Sequence, residues 1–177
     1  GIAARLWWML RSLGHDAVAV LDGGIQAWEA AGFELEPGFN ELPMAATVVA
    51  PHLALQSHLR TCDRAQTDAL KNDPTQRLID SRTAPRYRGE HEPIAPVAGH
   101  IPGAINLPWP ENLENGRFKT PTELKIRFAD LVEEADRNVF YCGSGVTACH
   151  NILAYNIAFG EMPGLYAGSW SEWIVSN

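Results

Sequence analysis

Residues 141–151 read YCGSGVTACHN: a cysteine that follows an apolar run, then a glycine-threaded loop, then a helix start. A thiol so placed is a candidate nucleophile. Gly143 and Gly145 let the backbone fold tightly, turning amide N–H groups of residues 143–148 inward around the sulfur of Cys142. The helix that begins near Thr147 adds the positive end of its dipole. Such a cradle holds an anionic sulfur and keeps more of it nucleophilic at neutral pH. The competing reading, a free cysteine buried as a small hydrophobe, fits Cys149, which lies one turn into that helix. Cys62, in the polar stretch RTCDRA, is assigned no role.

The loop has chemistry only if flanking elements hold it at a sheet edge. NVFYC at 138–142 and RLIDS at 77–81 read as buried strands, as do AVAVL at 17–21, TVV at 47–49 and the short AINLP at 104–108. Helical spacing runs over residues 2–13, over GGIQAWEAAG up to Gly32, from Pro51, and from Pro121 through PTELKIRFADLVEEA. In that last segment Leu124, Ile126, Phe128 and Leu131 form the apolar side. Residues 33–46 carry prolines and acidic side chains without a period. Strands alternating with helices predict an α/β fold, a small doubly wound, mostly parallel sheet with helices on both faces. In such sheets ligands bind outside the carboxyl ends of the strands, where Cys142 would emerge.

The chain also repeats. GIAARLWWML from Gly1 matches GVTACHNILA from Gly145, and LDGGIQAW at 21–28 matches YAGSWSEW at 166–173, at spacings of 144 and 145 residues. This predicts three parts: residues 1–36 as the end of one copy, 37–46 as a linker, and 47–177 as nearly all of a second. The rest of the first copy is expected before Gly1. The first helix would then present Leu6, Trp7, Met9 and Leu10 on an uncovered face, through which chains would associate.

CGSGVTA, GHIPGAINLPW at 99–109, LYAGSWSEW at 165–173 and DSR at 80–82 together resemble the rhodanese-type sulfurtransferases, specifically the 3-mercaptopyruvate sulfurtransferases. The resemblance implies tandem rhodanese domains with the nucleophile in the second, and residues 1–36 resemble the end of the non-catalytic first. It implies that Cys142 takes sulfur from 3-mercaptopyruvate or thiosulfate, carries it as a persulfide and hands it to a thiol or cyanide. Thiosulfate-preferring relatives place Arg and Lys where this chain has Gly143 and Ser144, so the neutral loop points to mercaptopyruvate. Ser144 becomes a proton-relaying hydroxyl, and Gly143, Gly145, Val146 and Thr147 line the substrate cradle, Thr147 also capping the helix or bonding the loop. Arg86 matches the substrate arginine in the D-S-R-x-x-x-R spacing. Arg82 is read evenly, as a second carboxylate anchor or as an ion-pair arginine bonded to Asp80 or a glutamate. A further arginine found after the Glu-Pro pair in several relatives is replaced here by Ile94. The family's Ser-His-Asp relay draws its histidine and aspartate from the first domain.

Other classes fit less well. A cysteine phosphatase needs an arginine six positions after the cysteine to clamp phosphate, and that position is Ala148. His100 in GHIPG reads as part of a structural turn, and His150 as a surface or interdomain residue. Trp7, Trp8, Trp170 and Trp173 read as core or domain-interface anchors. Six histidines without paired spacing predict no metal, and no cofactor is implied. A net charge of -7 with no basic cluster argues against nucleic acid. No apolar run approaches the about 20 residues of a membrane span. Three cysteines suit neither a disulfide framework nor a zinc site, which points to a reducing, cytoplasmic compartment. The alternative is a catalytically incompetent rhodanese-like binding or regulatory module; with the relay's histidine and aspartate expected before Gly1, residues 1–177 alone are expected to bind the donor poorly or turn over slowly.

Overall fold

The computed structural model describes residues 1–38, 59–131 and 133–175. In chain order its regular elements begin with α1 (Ile2–Ser12), α2 (Gly24–Ala30), β1 (Thr61–Cys62), α3 (Arg64–Leu70), β2 (Arg77–Asp80), α4 (Ala84–Tyr87) and β3 (Ile105–Asn106). There follow β4 (Leu113–Glu114), β5 (Arg117–Phe118), α5 (Pro121–Arg127), β6 (Asn138–Tyr141), α6 (Val146–Phe159), β7 (Gly164–Tyr166) and α7 (Ser169–Trp173). The strand expected at 47–49, most of the helix expected from Pro51, and residues 39–46 of the linker lie outside the described residues. Residues 33–38 have no regular structure.

Five strands form a parallel sheet in the order β1-β7-β6-β2-β3, and β4 and β5 make a separate antiparallel hairpin. Because side chains alternate across a strand, the apolar runs of a doubly covered sheet feed two cores. Ile79, Phe140 and Leu165 face α1, α5 and α6, packing with Trp7, Leu124, Phe128 and Ile152. Their neighbours Leu78, Val139, Tyr141 and Tyr166 face the other side and pack with Leu70 of α3 and Trp170 and Trp173 of α7. The expected α/β architecture with helices on both faces is the observed one.

Several local expectations are corrected. Residues 17–21 form no strand, because among the described residues no neighbour completes a ladder; Val18 and Val20 instead lean on the core beneath α6. α5 stops at Arg127, and Ile126 is 72% exposed, since it lies two positions from Leu124 and Phe128 and so points to the opposite side of the helix. The short β1 and β7, the β4–β5 hairpin and α3 carry too few residues to show a period. On α1, Trp7 is buried against α6 together with Ala4 and Trp8, while Ile2, Leu6 and Met9 form the exposed stripe and Leu10 is half-buried.

Two features of this frame place the opening loop. Chain connections leave β2 towards β3 and leave β6 towards β7, in opposite directions, so a crevice opens between the carboxyl ends of β2 and β6. Asp80 pairs with Tyr141, and the Ser81 amide donates to the Tyr141 carbonyl at 2.8 Å, so residues 81–82 and 142–143 emerge side by side. α6 then starts from Gly145, whose φ of 75° is left-handed, and a Cβ there would come within 2.7 Å of the Ala167 carbonyl oxygen. Only glycine fits both demands. α6 ends symmetrically at Gly160, with φ 77°.

Two stability measurements check this frame. Replacing Gly145 with alanine should cost about 2 kcal/mol in denaturant unfolding, because strain and a backbone clash add. Trp7→Ala should cost about 3–5 kcal/mol by removing the anchor of α1 on α6; a loss under about 1 kcal/mol would mean that α1 is not docked as described.

Candidate active site

The loop after β6 is held by the start of α7. The Cys142 N–H donates to Ser169 Oγ at 3.1 Å, and the Ser169 hydroxyl in turn donates to the Tyr166 carbonyl at 2.9 Å. Trp170 N–H donates to the Cys142 carbonyl at 3.0 Å; Ser171 donates to the Gly143 carbonyl from its N–H at 2.9 Å and from its hydroxyl at 2.6 Å. Both carbonyls therefore point at α7. In a trans peptide the next N–H points the opposite way, so the amides of Gly143 and Ser144 face away from α7. Among the described residues neither has a protein acceptor, and no side chain caps α6. The result is an amide-lined concavity at the end of a central strand.

Cys142, the first residue of the loop, is 2% exposed and packs with the core on the α6 side of the sheet. Ser144 is exposed on the loop, Gly143, Val146 and Thr147 are half-buried, and Gly145 is buried. Thr147 is the second residue of α6, not its cap, which is Gly145. The expected capping role of Thr147 is corrected accordingly: a residue already inside the first turn is too late in the chain to cap it.

The two arginines beyond β2 behave differently. Arg82 is wholly buried: Nε reaches both Asp80 carboxylate oxygens at 3.1 Å, Nη2 reaches Asp80 at 2.6 Å and the Gly99 carbonyl at 2.7 Å, and Nη1 reaches Glu92 at 3.1 Å. Of the two readings of Arg82, the ion-pair arginine is what the structure shows. Four of its five N–H donors are taken by Asp80, Glu92 and the Gly99 carbonyl, and the side chain has no exposed surface. Arg86, in the last turn of α4, has a side chain 17% exposed and lies against the loop: a Cβ on Gly143 would stand 3.4 Å from its Nη2 and 3.9 Å from its Nη1. Gly143 thus leaves open the space in front of this guanidinium.

Glu92 joins the two arginines. Burial alone would raise its carboxyl pKa, but hydrogen bonds from Arg86 and from the amides of Ala95 and Ile94 outweigh that and bring it to about 2. Glu92 and the Ser169–Ser171 clamp were not read from the sequence as functional, although both lie in or beside quoted motifs; what reveals them is their partners across the fold.

The remaining candidates have structural places. His100 Nδ1 bonds the Tyr87 carbonyl at 2.8 Å and its ring stacks on Tyr87. Of the two readings of His150, the surface one is corrected: it is buried against Asn112, Phe118 and Trp109, on a cavity that Gly1, Ala4 and Asp22 also line, and burial lowers its pKa to about 4. This correction follows from α6 being buried on most sides. Cys149 donates to the Gly145 carbonyl and burial raises its thiol to about 11. Cys62 is buried in β1. Ala148 is fully buried, so a side chain there faces the core and not the loop. Among the described residues no group of side chains could hold a metal, and no helix is long and apolar enough to cross a membrane.

Residues 63–176 match the family of the rhodanese-like domain. The chain is 48% identical, over 98% of its length, to a probable 3-mercaptopyruvate sulfurtransferase of Pseudomonas aeruginosa, of which it covers 61%. It is 39% identical, over 97% of its length, to a putative thiosulfate sulfurtransferase, SseB, of Mycobacterium tuberculosis, of which it covers 59%. The crystal structure of SseA from Escherichia coli, described as a 3-mercaptopyruvate sulfotransferase, superposes with a TM-score of 0.76 at 33% identity, covering 94% of this chain and 62% of that one. The chain thus spans about six tenths of the length of these relatives. A parallel sheet whose central strand delivers a cysteine into an amide-lined loop agrees with that match, and the chain belongs to the rhodanese-like domain family.

Proposed function

We propose that this chain carries the sulfur-accepting centre of a sulfurtransferase whose donor is 3-mercaptopyruvate. The observation that supports the reading is the position of Cys142 at the head of a loop whose next two amides have no protein acceptor among the described residues, with Arg86 beside Gly143. The names of the Pseudomonas and Escherichia relatives support the donor class. The family's binding modules are the other reading, and a cysteine followed by two unpartnered loop amides favours the enzyme.

The chemistry balances as follows. The Cys142 thiolate attacks the sulfur of mercaptopyruvate, an S–S bond forms, and the donor's C–S bond breaks. The bonding pair leaves with carbon as the enolate of pyruvate, which takes up the proton that the transferred sulfur gives up; Ser144, exposed on the loop, is placed to relay it. Arg86 offers a guanidinium to the donor carboxylate. The persulfide left on Cys142 is anionic, and the amides at the loop and the start of α6 stabilise it without a side-chain charge. Attack by a thiol or cyanide on the outer sulfur then restores the thiolate. Thiosulfate would load the same sulfur and release sulfite. The internal match further supports residues 1–36, 37–46 and 47–177 as a unit, a linker and a second, catalytic unit.

Two expected outcomes follow. Incubated with mercaptopyruvate, the protein should gain one sulfur atom on Cys142 by mass spectrometry, and Cys142→Ser should gain none and lose transfer to cyanide. Equal transfer by the two proteins would end the proposal. Arg86→Lys should slow loading at low donor by about tenfold or more, mainly through weaker donor binding.

A further inference from the structure

The four charged side chains beside the loop cancel. Asp80 and Glu92 carry two negative charges, and Arg82 and Arg86 two positive ones, all linked by contacts of 2.6–3.1 Å. The loop itself, Gly143-Ser144, adds no charge, and the neighbour of Glu92 on the rim, Ile94, adds none either. The side chain of Glu92 is 3% exposed, so the cancellation is not made by solvent.

Glu92 also decides how Arg86 is presented. Its Oε1 accepts from Arg86 Nη2 at 2.7 Å and from the amides of Ile94 and Ala95, each at 3.1 Å; its Oε2 accepts from Arg86 Nε and Arg82 Nη1, each at 3.1 Å. The Nε–Nη2 edge of Arg86 is therefore occupied. Among the described residues Nη1 has no partner; a Cβ on Gly143 would stand 3.4 Å from Nη2 and 3.9 Å from Nη1, so it is the Nη1–Nη2 edge that faces the loop. One edge of one guanidinium, whose charge is already balanced, is what remains for a ligand.

We propose that Glu92 is a positioning and specificity-determining residue: by holding Arg86 edge-on and neutralising it, Glu92 restricts this site to singly charged 2-oxo acid donors and disfavours dianionic thiosulfate. The inference rests on the sulfur-loading role of Cys142 proposed above. A monoanion finds one bidentate edge and a set of amide dipoles. A dianion brings a second charge into a part-buried site that has no matching cation, and loses hydration for it.

The test is the rate at which Cys142 gains sulfur from each donor, read by mass spectrometry over a single loading event. Because both rates scale equally with the folded fraction, their ratio is insensitive to partial unfolding. Glu92→Gln keeps one acceptor oxygen and removes one negative charge. The thiosulfate-to-mercaptopyruvate rate ratio should rise about tenfold, the scale of one unit charge acting on one further charge in a part-exposed site. Glu92→Asp keeps the charge and should slow both donors while leaving the ratio near its starting value. An unchanged ratio in Glu92→Gln overturns the role of Glu92 and leaves the function standing. Failure of the unaltered protein to load sulfur from either donor overturns the function and this inference together. Should Glu92→Gln not fold, protection of Cys142 from alkylation in the unaltered protein decides: pyruvate should protect at lower concentration than sulfate, and equal or better protection by sulfate overturns the proposal.

Discussion

The grip of α7 on the carbonyls of Cys142 and Gly143 is the constraint from which the site follows. Those two hydrogen-bonded carbonyls fix the orientation of two peptide planes, and peptide planarity then sends the next two amides the other way. No side chain is needed to make the concavity attractive to an anion. The grip depends on α7 starting in the right place, and Ser169 secures that by adopting a positive φ while bonding both β6 and β7. Gly145 completes the constraint from the other side, because only a residue without Cβ can bring the start of α6 against Ala167. A strand end, a helix start and a second helix start thus converge on one sulfur.

Beside this dipolar cradle stands a charged assembly of a different character. Arg82 is a buried cation, tolerable only because Asp80, Glu92 and the Gly99 carbonyl satisfy its donors. It ties the end of β2 to the loop that carries Glu92, and Asn106 bonds the backbone of Asp80 and Arg82 from β3. The rigidity of that assembly lets Arg86 face the crevice at a fixed angle rather than as a mobile surface side chain. The cradle is built from peptide dipoles, the assembly from balanced ions.

Much of this was legible in the chain. The continuous apolar strands, the glycines around Cys142 and the apolar periodicity of α1 carry their own meaning, since each depends on neighbours within a few positions. The same locality explains the errors. AVAVL has every property of a buried strand, yet a strand exists only beside another, and none lies beside this one among the described residues. Ile126 falls in an apolar cluster along the sequence and on the wrong side of the helix in space. A surface place for His150 fails because α6 is buried on most sides, and the polar groups of His150 and Asn151 meet Asn112 and Ser81.

By itself, the sequence determined the fold class, the place of Cys142 between a buried strand and a helix start, and the neutral character of the loop after it, because residue type and short-range spacing decide backbone conformation. Only the tertiary structure decided which arginine keeps an unpartnered edge beside the loop. Arg82 and Arg86 are chemically identical and four residues apart; what separates them is the arrival of Asp80, Glu92 and Gly99 around one guanidinium and the open space above Gly143 beside the other. Charge partners distant along the chain are set by how strands and loops meet, and local sequence does not record that meeting.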